Sequence, residues 1–219
     1  MMSTETPTIN NQIIQTIVTQ MAEKIHQEKD YLTELDSAIG DADHGVNMDI
    51  GFQAVLQQLP QWDLDQMTLK ALVKKIGFTL LDKIGGASGP LYGSFFMQLG
   101  KDLTDEKTVD LPTFYQMLNN GTAAIEKRGK VALEEKTMFD VLQPTVKYLI
   151  DHEAEPDYQQ TLTNAQKVAQ EAFDHTTTLF PKKGRAARLG EKGVDKADPG
   201  SASIKFLINI ICDTLKDQK

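Results

Sequence analysis

Apolar residues recur at every third or fourth position along most of this chain, and that spacing constrains the fold more than any other feature. Ile13, Ile17, Met21 and Ile25 fall four apart, with Ile14 and Val18 beside them. Met48, Phe52, Val55 and Leu59 form a second stripe, and Leu69, Leu72, Val73, Ile76, Leu80 and Ile84 a third. Leu91, Phe95, Leu99 and Leu103 follow, then Phe114, Met117 and Ile125, then Met138, Val141, Leu142 and Leu149. Leu162, Ala165, Val168, Ala169, Ala172 and Phe173 make the seventh stripe, and Ile204, Leu207, Ile208, Ile211 and Leu215 the last. Each spacing puts one apolar face on a helix, and no period-2 run competes, so the pattern predicts an all-α chain. Connections are short except for the glycine-, proline- and charge-rich stretch from about 180 to 199. The expectation is therefore one up-and-down helical domain over 1–219, with a long functional loop before the last helix.

Several function classes are excluded early. Lys plus Arg number 23 against 31 Asp plus Glu, a net charge of −8, so no basic field favours nucleic acid. The opening "MMSTETPTINN" has neither a basic nor an apolar leader segment, and no apolar run is long enough to span a bilayer. The chain is expected to be cytoplasmic, with no membrane partner. Its single cysteine, Cys212, sits in an apolar run and reads as a small buried hydrophobe.

Three stretches break the helical pattern, each just before a helix. In "DSAIGDADHGVNM", Asp36, Asp41 and Asp43 crowd into eight positions ahead of a helix beginning near His44. Hard carboxylate oxygens on a turn suit Mg²⁺ or Ca²⁺, but the calcium-loop glycine is absent, since Val46 stands in its place. The competing reading is an N-cap with solvated neighbours. A cap accounts for one aspartate and not for three, yet locally both readings stay open.

In "DKIGGASGPLYGSFF", Gly85, Gly86 and Gly89 allow close backbone approach. The next helix then offers free N–H groups and a positive dipole end, with Ser88 as an added hydroxyl donor. A tight interhelical turn is the plain alternative. In "KKGRAARLGEKGVDKADPGSASIKF", Asp198-Pro199-Gly200 reads as an N-cap with proline at the first helical position, behind a loop carrying Arg185. Carboxylates for Mg²⁺, helix starts for phosphate oxygens and an arginine loop together suit phosphoryl transfer, which depends mostly on positioning and charge neutralisation. No nucleophile with an adjacent base is evident.

At this point a resemblance enters. The stretches "IGDADHGVNM", "GGASGPLYGSFF", "KRGKV…EKTMFDVLQP", "KGRAARLGE" and "DPGSAS" occur in the order and spacing of the nucleotide-binding L subunits of bacterial dihydroxyacetone kinases of the phosphotransferase-linked type, which the chain resembles throughout. The resemblance implies an eight-helix antiparallel barrel holding ADP/ATP and two Mg²⁺ ions at one end. It implies that Asp36, Asp41 and Asp43 bind the metals, and that His44, Gly45, Val46 and Asn47 line the nucleotide. Ala87 and Ser88 would cradle phosphate, and Gly129 and Met138 would flank base or ribose. Arg185 with Asp198, Pro199 and Gly200 would complete the pocket, and the aspartates and Arg185 would be the catalytic set.

The resemblance further implies a division of labour. Bound ADP is phosphorylated in place by the phosphohistidine of an M subunit that draws on phosphoenolpyruvate, and dihydroxyacetone is held on a separate K subunit. The chain ends soon after its last helix, which favours a separate subunit over a fused kinase; a homodimer is left open. An ATP-dependent kinase subunit with another acceptor and a catalytically silent nucleotide sensor are the alternatives. The loop "RAARLGEKG" departs from the family pattern at Ala187, Arg188, Lys192 and Gly193.

Overall fold

A computed structural model describes residues 6–218; residues 1–5 of the opening stretch and Lys219, part of the expected 1–219 domain, lie outside the described residues. The all-α expectation holds. The described residues form nine α-helices: α1 Asn11–Gln27, α2 Lys29–Ile39, α3 His44–Gln58, α4 Leu69–Lys83, α5 Ser88–Leu99, α6 Leu111–Gly129, α7 Phe139–Asp151, α8 Tyr158–Thr178 and α9 Pro199–Lys216. Eight correspond to the apolar stripes. The ninth, α2, follows α1 after the single residue Glu28, and its apolar face is only Leu32, Leu35 and Ile39.

The helix starts follow from side-chain caps. Asn10 accepts from the Ile13 N–H at 2.9 Å, Thr68 from Ala71 at 3.1 Å and Asp110 from Thr113 at 2.9 Å. Asp157 and Asp198 cap α8 and α9 in the same way, with Pro199 at the first position of α9 as the sequence predicts. A two-residue strand pair, β1 Ile9–Asn10 with β2 Thr108–Val109, is antiparallel and ties the starts of α1 and α6 together. Two-residue pairing leaves no period-2 signal in a sequence.

Helices adjacent in sequence pack on one another from α2 through α9, and α9 returns to α1 and α2. The shared core includes Phe52, Tyr92, Phe95 and Phe96, whose rings meet edge-to-face with centroids 5.4 to 6.5 Å apart. Glycines bring α4 and α5 close: a Cβ on Gly93 would stand 2.7 Å from that of Leu81. This close packing fixes the turn between them. No helix among the described residues is long and apolar enough to cross a membrane.

Polarity along the bundle is what places the site. α3, α5, α7 and α9 begin around one cavity of about 490 Å³, while the last residues of α2 and α6 and the turn after α4 border the same space. Four positive helix ends therefore face one cavity, as up-and-down packing requires.

Candidate functional site

The aspartate turn is built by a cap that reaches across it. Asp36, in the last turn of α2, accepts with Oδ2 from the backbone N–H groups of Asp43 at 2.9 Å and His44 at 3.1 Å. Asp43 holds the N-cap position of α3 but makes no side-chain cap. The capping and metal readings thus converge on one residue: Asp36 caps α3 through Oδ2, and its second oxygen remains. Gly40 is required for this fold-back, because a Cβ there would stand 2.8 Å from the Asp36 Cγ. Between the other two carboxylates, Ala42 takes a left-handed φ of 62°, which reverses the chain so that all three acids meet. Oxygens of Asp36, Asp41 and Asp43 lie within 4.8 Å of one another, a hard-ligand cluster that fits Mg²⁺. Arg185, from the long loop, is ion-paired to Asp41 and offsets part of the crowded charge.

Opposite the acids lies the glycine turn. Gly86 has φ +63°, and a Cβ on it would meet nothing within 4 Å, so the backbone is open on that side. Ala87 and Ser88 border the cavity at the start of α5, and no side chain caps this helix, so its first N–H groups are free. Free N–H groups and the positive dipole end make such a helix start a ready place for an anion.

A buried polar chain links three helix starts. His44 is 8% exposed; its Nδ1 lies 3.2 Å from the Ser88 hydroxyl and its Nε2 2.9 Å from that of Ser203. Ser203 donates to the carbonyls of Pro199 and Gly200, each at 3.0 Å, so its lone pairs accept from Tyr92 at 2.8 Å and from His44. Burial lowers the His44 pKa to about 4, against the raising effect of Asp36 and Asp43, so the ring is neutral at pH 7. The proton then sits on Nε2, and Nδ1 accepts from Ser88. In this arrangement the Ser88 proton points at His44 and its oxygen, rather than a donor, faces outward. The α5 backbone is left as the anion donor.

The third wall is the segment from Gly129 to Met138. Lys130, Glu134 and Lys136 all have left-handed φ, between 49° and 66°. Asp140 gathers the turn by accepting from the Glu134 N–H at 2.5 Å and the Thr137 N–H at 2.7 Å. Lys136 is 1% exposed, and its ammonium donates to the Thr176 and Thr177 carbonyls at 2.6 and 3.2 Å. Burial pulls its pKa down, while Asp198 and Asp195 push it up. On the fourth wall, burial pushes Asp198 up to about 6, opposed by its bonds from the Ser201 N–H at 2.6 Å and hydroxyl at 2.9 Å.

Twelve of the fifteen residues singled out in the sequence border this one cavity: Asp36, Asp41, Asp43, His44, Ala87, Ser88, Gly129, Met138, Arg185, Asp198, Pro199 and Gly200. Gly45, Val46 and Asn47 do not border it. Gly45 packs α3 against α2, where a Cβ would lie 2.5 Å from the Thr33 hydroxyl oxygen; Val46 points outward at 43% exposure. Asn47 braces the glycine turn, standing 2.6 Å from a Cβ placed on Gly85. Sequence reasoning passed over Lys136, Tyr92 and Arg128, which also border the cavity, and Ser203 behind it. Lys136 lies inside the "EKTM" stretch, beside Met138, which was singled out.

Comparison with known proteins decides the family. The DAK2 domain matches residues 38–213. The ADP-binding subunit DhaL of PEP-dependent dihydroxyacetone kinase 2 of Listeria innocua is 42% identical over 91% of this chain and 93% of its own length. The chain belongs to this family. The corresponding DhaL subunit of Escherichia coli is 36% identical over 91% of the chain and 95% of its own length. In three dimensions the dihydroxyacetone kinase of C. freundii, solved with AMP-PNP and Mg²⁺, superposes with a TM-score of 0.71 at 24% identity. That alignment takes in 97% of this chain but only 36% of the longer one, so the DAK2-family fold is what it supports.

Proposed function

We propose that this chain is the nucleotide-carrying subunit of a PEP-dependent dihydroxyacetone kinase in the cytoplasm, a phosphotransferase component working as one domain over 1–219. One observation carries this reading. Three aspartate oxygen donors cluster at the starts of uncapped or trans-capped helices, in a chain 42% identical to a protein named for ADP binding. Asp36, Asp41 and Asp43 would hold two Mg²⁺ ions, whose charge neutralises the diphosphate and the phosphoryl group in transfer.

The chain's own residues divide the remaining work. Main-chain N–H groups at the start of α5, at Ala87 and Ser88, take phosphate oxygens, while His44 borders them from the start of α3. Gly129 and Met138 flank the base or ribose, and Asp198, Pro199 and Gly200 close the pocket at α9. Arg185 leaves Asp41 for the phosphates, where a guanidinium binds in fork geometry. Held there with Mg²⁺, ADP would supply the acceptor oxygen for a phosphoryl group released from the phosphohistidine of an M subunit, and the triphosphate so formed would be the donor to dihydroxyacetone on a K subunit.

The test is a reconstitution with the M subunit, phosphoenolpyruvate and the K subunit. Dihydroxyacetone phosphate is expected to form with ADP only in the amount bound to the chain. Bound ADP that is never phosphorylated would refute the reading, and turnover on free ATP without the M subunit would replace it with an ATP-dependent kinase.

A further inference from the structure

Lys136 is the most deeply buried cation bordering the cavity, and nothing in the proposed reaction so far uses it. Its backbone φ of 60° is one that a non-glycine residue adopts at a cost, and Glu134 two residues earlier, at 66°, bears the same cost. Such strain persists only where the surroundings over-determine it. Here they do so from two sides. Asp140 draws the Glu134 and Thr137 amides inward at 2.5 and 2.7 Å. From the other side the Lys136 ammonium fastens the turn to the last carbonyls of α8, Thr176 and Thr177, at the negative end of that helix.

The same α8 terminus launches the long loop. The Asp195 N–H donates to the Thr177 carbonyl at 2.9 Å, and the Lys182 N–H to the Glu135 carbonyl at 3.1 Å. One buried lysine thus joins the turn ending at Met138 to the root of the loop that carries Arg185. Met138 in turn stands beside α9, where a Cβ on Gly200 would lie 3.6 Å from its own.

We infer that Lys136 is a positioning residue for the nucleotide: by pinning the 130–138 turn to the α8 terminus, it pre-forms the base-side wall and holds the root of the Arg185 loop against it. The inference rests on the nucleotide reading of this cavity and adds to it a residue that touches neither metal nor phosphate. A pre-formed wall retains a ligand by not having to be ordered on each binding event, so its loss appears chiefly as faster release.

The test is stopped-flow release of a fluorescent ADP analogue, with Mg²⁺ present, from the full chain and from Lys136→Met. At a temperature where circular dichroism shows both folded, release from Lys136→Met is expected to be about tenfold faster, with association changed far less. Lys136→Gln keeps an amide donor for α8 and is expected to fall between the two; it also carries the test should the methionine variant not fold. A role in stability alone would lower the melting temperature of these variants and leave release unchanged, and that result overturns the inference. Wild type that does not bind the probe removes the nucleotide reading itself, and this inference with it; wild type that binds, with variants releasing at its rate, removes this inference alone.

Discussion

Replacing the three aspartates one at a time by alanine should separate the two jobs that the turn performs. All three variants lose a carboxylate from the same cluster, so each relieves like-charge repulsion of the same kind. Only Asp36→Ala also removes the acceptor for the Asp43 and His44 amides, at 2.9 and 3.1 Å, the second of them buried. Losing a helix cap costs about 0.5–2 kcal/mol, and bonds to a charged acceptor lie at the upper end, so about 2 kcal/mol is expected here. For a chain of this length each kcal/mol moves the midpoint by about 2–4 °C, so Asp36→Ala should melt about 4–8 °C below Asp43→Ala. Asp41→Ala should melt close to Asp43→Ala, because its ion pair with the largely exposed Arg185 is worth about 0–1 kcal/mol. The assay is thermal unfolding without nucleotide or divalent metal. Equal midpoints for Asp36→Ala and Asp43→Ala would show that the cross-turn cap does not hold α3.

Other outcomes follow from the same geometry. Magnesium with ADP at about 100 times its dissociation constant should stabilise wild type by about 2.7 kcal/mol, read as a rise in melting midpoint, and should leave Asp41→Ala unmoved. The folded pKa of His44, lowered to about 4, means that the unfolded chain binds the extra proton between roughly pH 6.5 and 4, so stability is lost as pH falls through that window. That contribution is about 3 kcal/mol in full and should be missing from His44→Gln, compared as a difference curve because Asp198, raised to about 6, contributes with the opposite sign. Gly45→Ala should destabilise the fold by about 1–3 kcal/mol through clashes with the Lys29 carbonyl and with Thr33 on α2, whereas Val46→Ala should leave ADP affinity by calorimetry unchanged.

The sequence made the helices legible where packing demands a wide apolar stripe. It concealed α2, whose eleven residues bury only Leu32, Asp36 and Ile39 and follow α1 with no glycine or proline between them. The stripe through Leu103 overran its helix: α5 stops at Leu99, Gly100 ends it, and Leu103 enters the core from a turn. At the site, residue types with strong local chemistry were visible, namely the crowded aspartates, the glycine turn and the Asp198 cap. Roles that depend on partners far along the chain were not. Ser203 meets His44 across 159 positions, and Lys136 meets Thr176 across 40; neither pairing has a periodicity or spacing that could announce it. The cap by Asp36 escaped for a similar reason, since a capping residue is sought at the helix start and not eight positions before it.

The central claim is that the cavity binds ADP through metal held by the three aspartates. Titration calorimetry of the full chain with ADP, with Mg²⁺ and with the metal chelated, tests it most directly. The account predicts a single ADP site that requires Mg²⁺ and disappears in Asp41→Ala. Equal ADP affinity with and without the metal, or in wild type and Asp41→Ala, would contradict it.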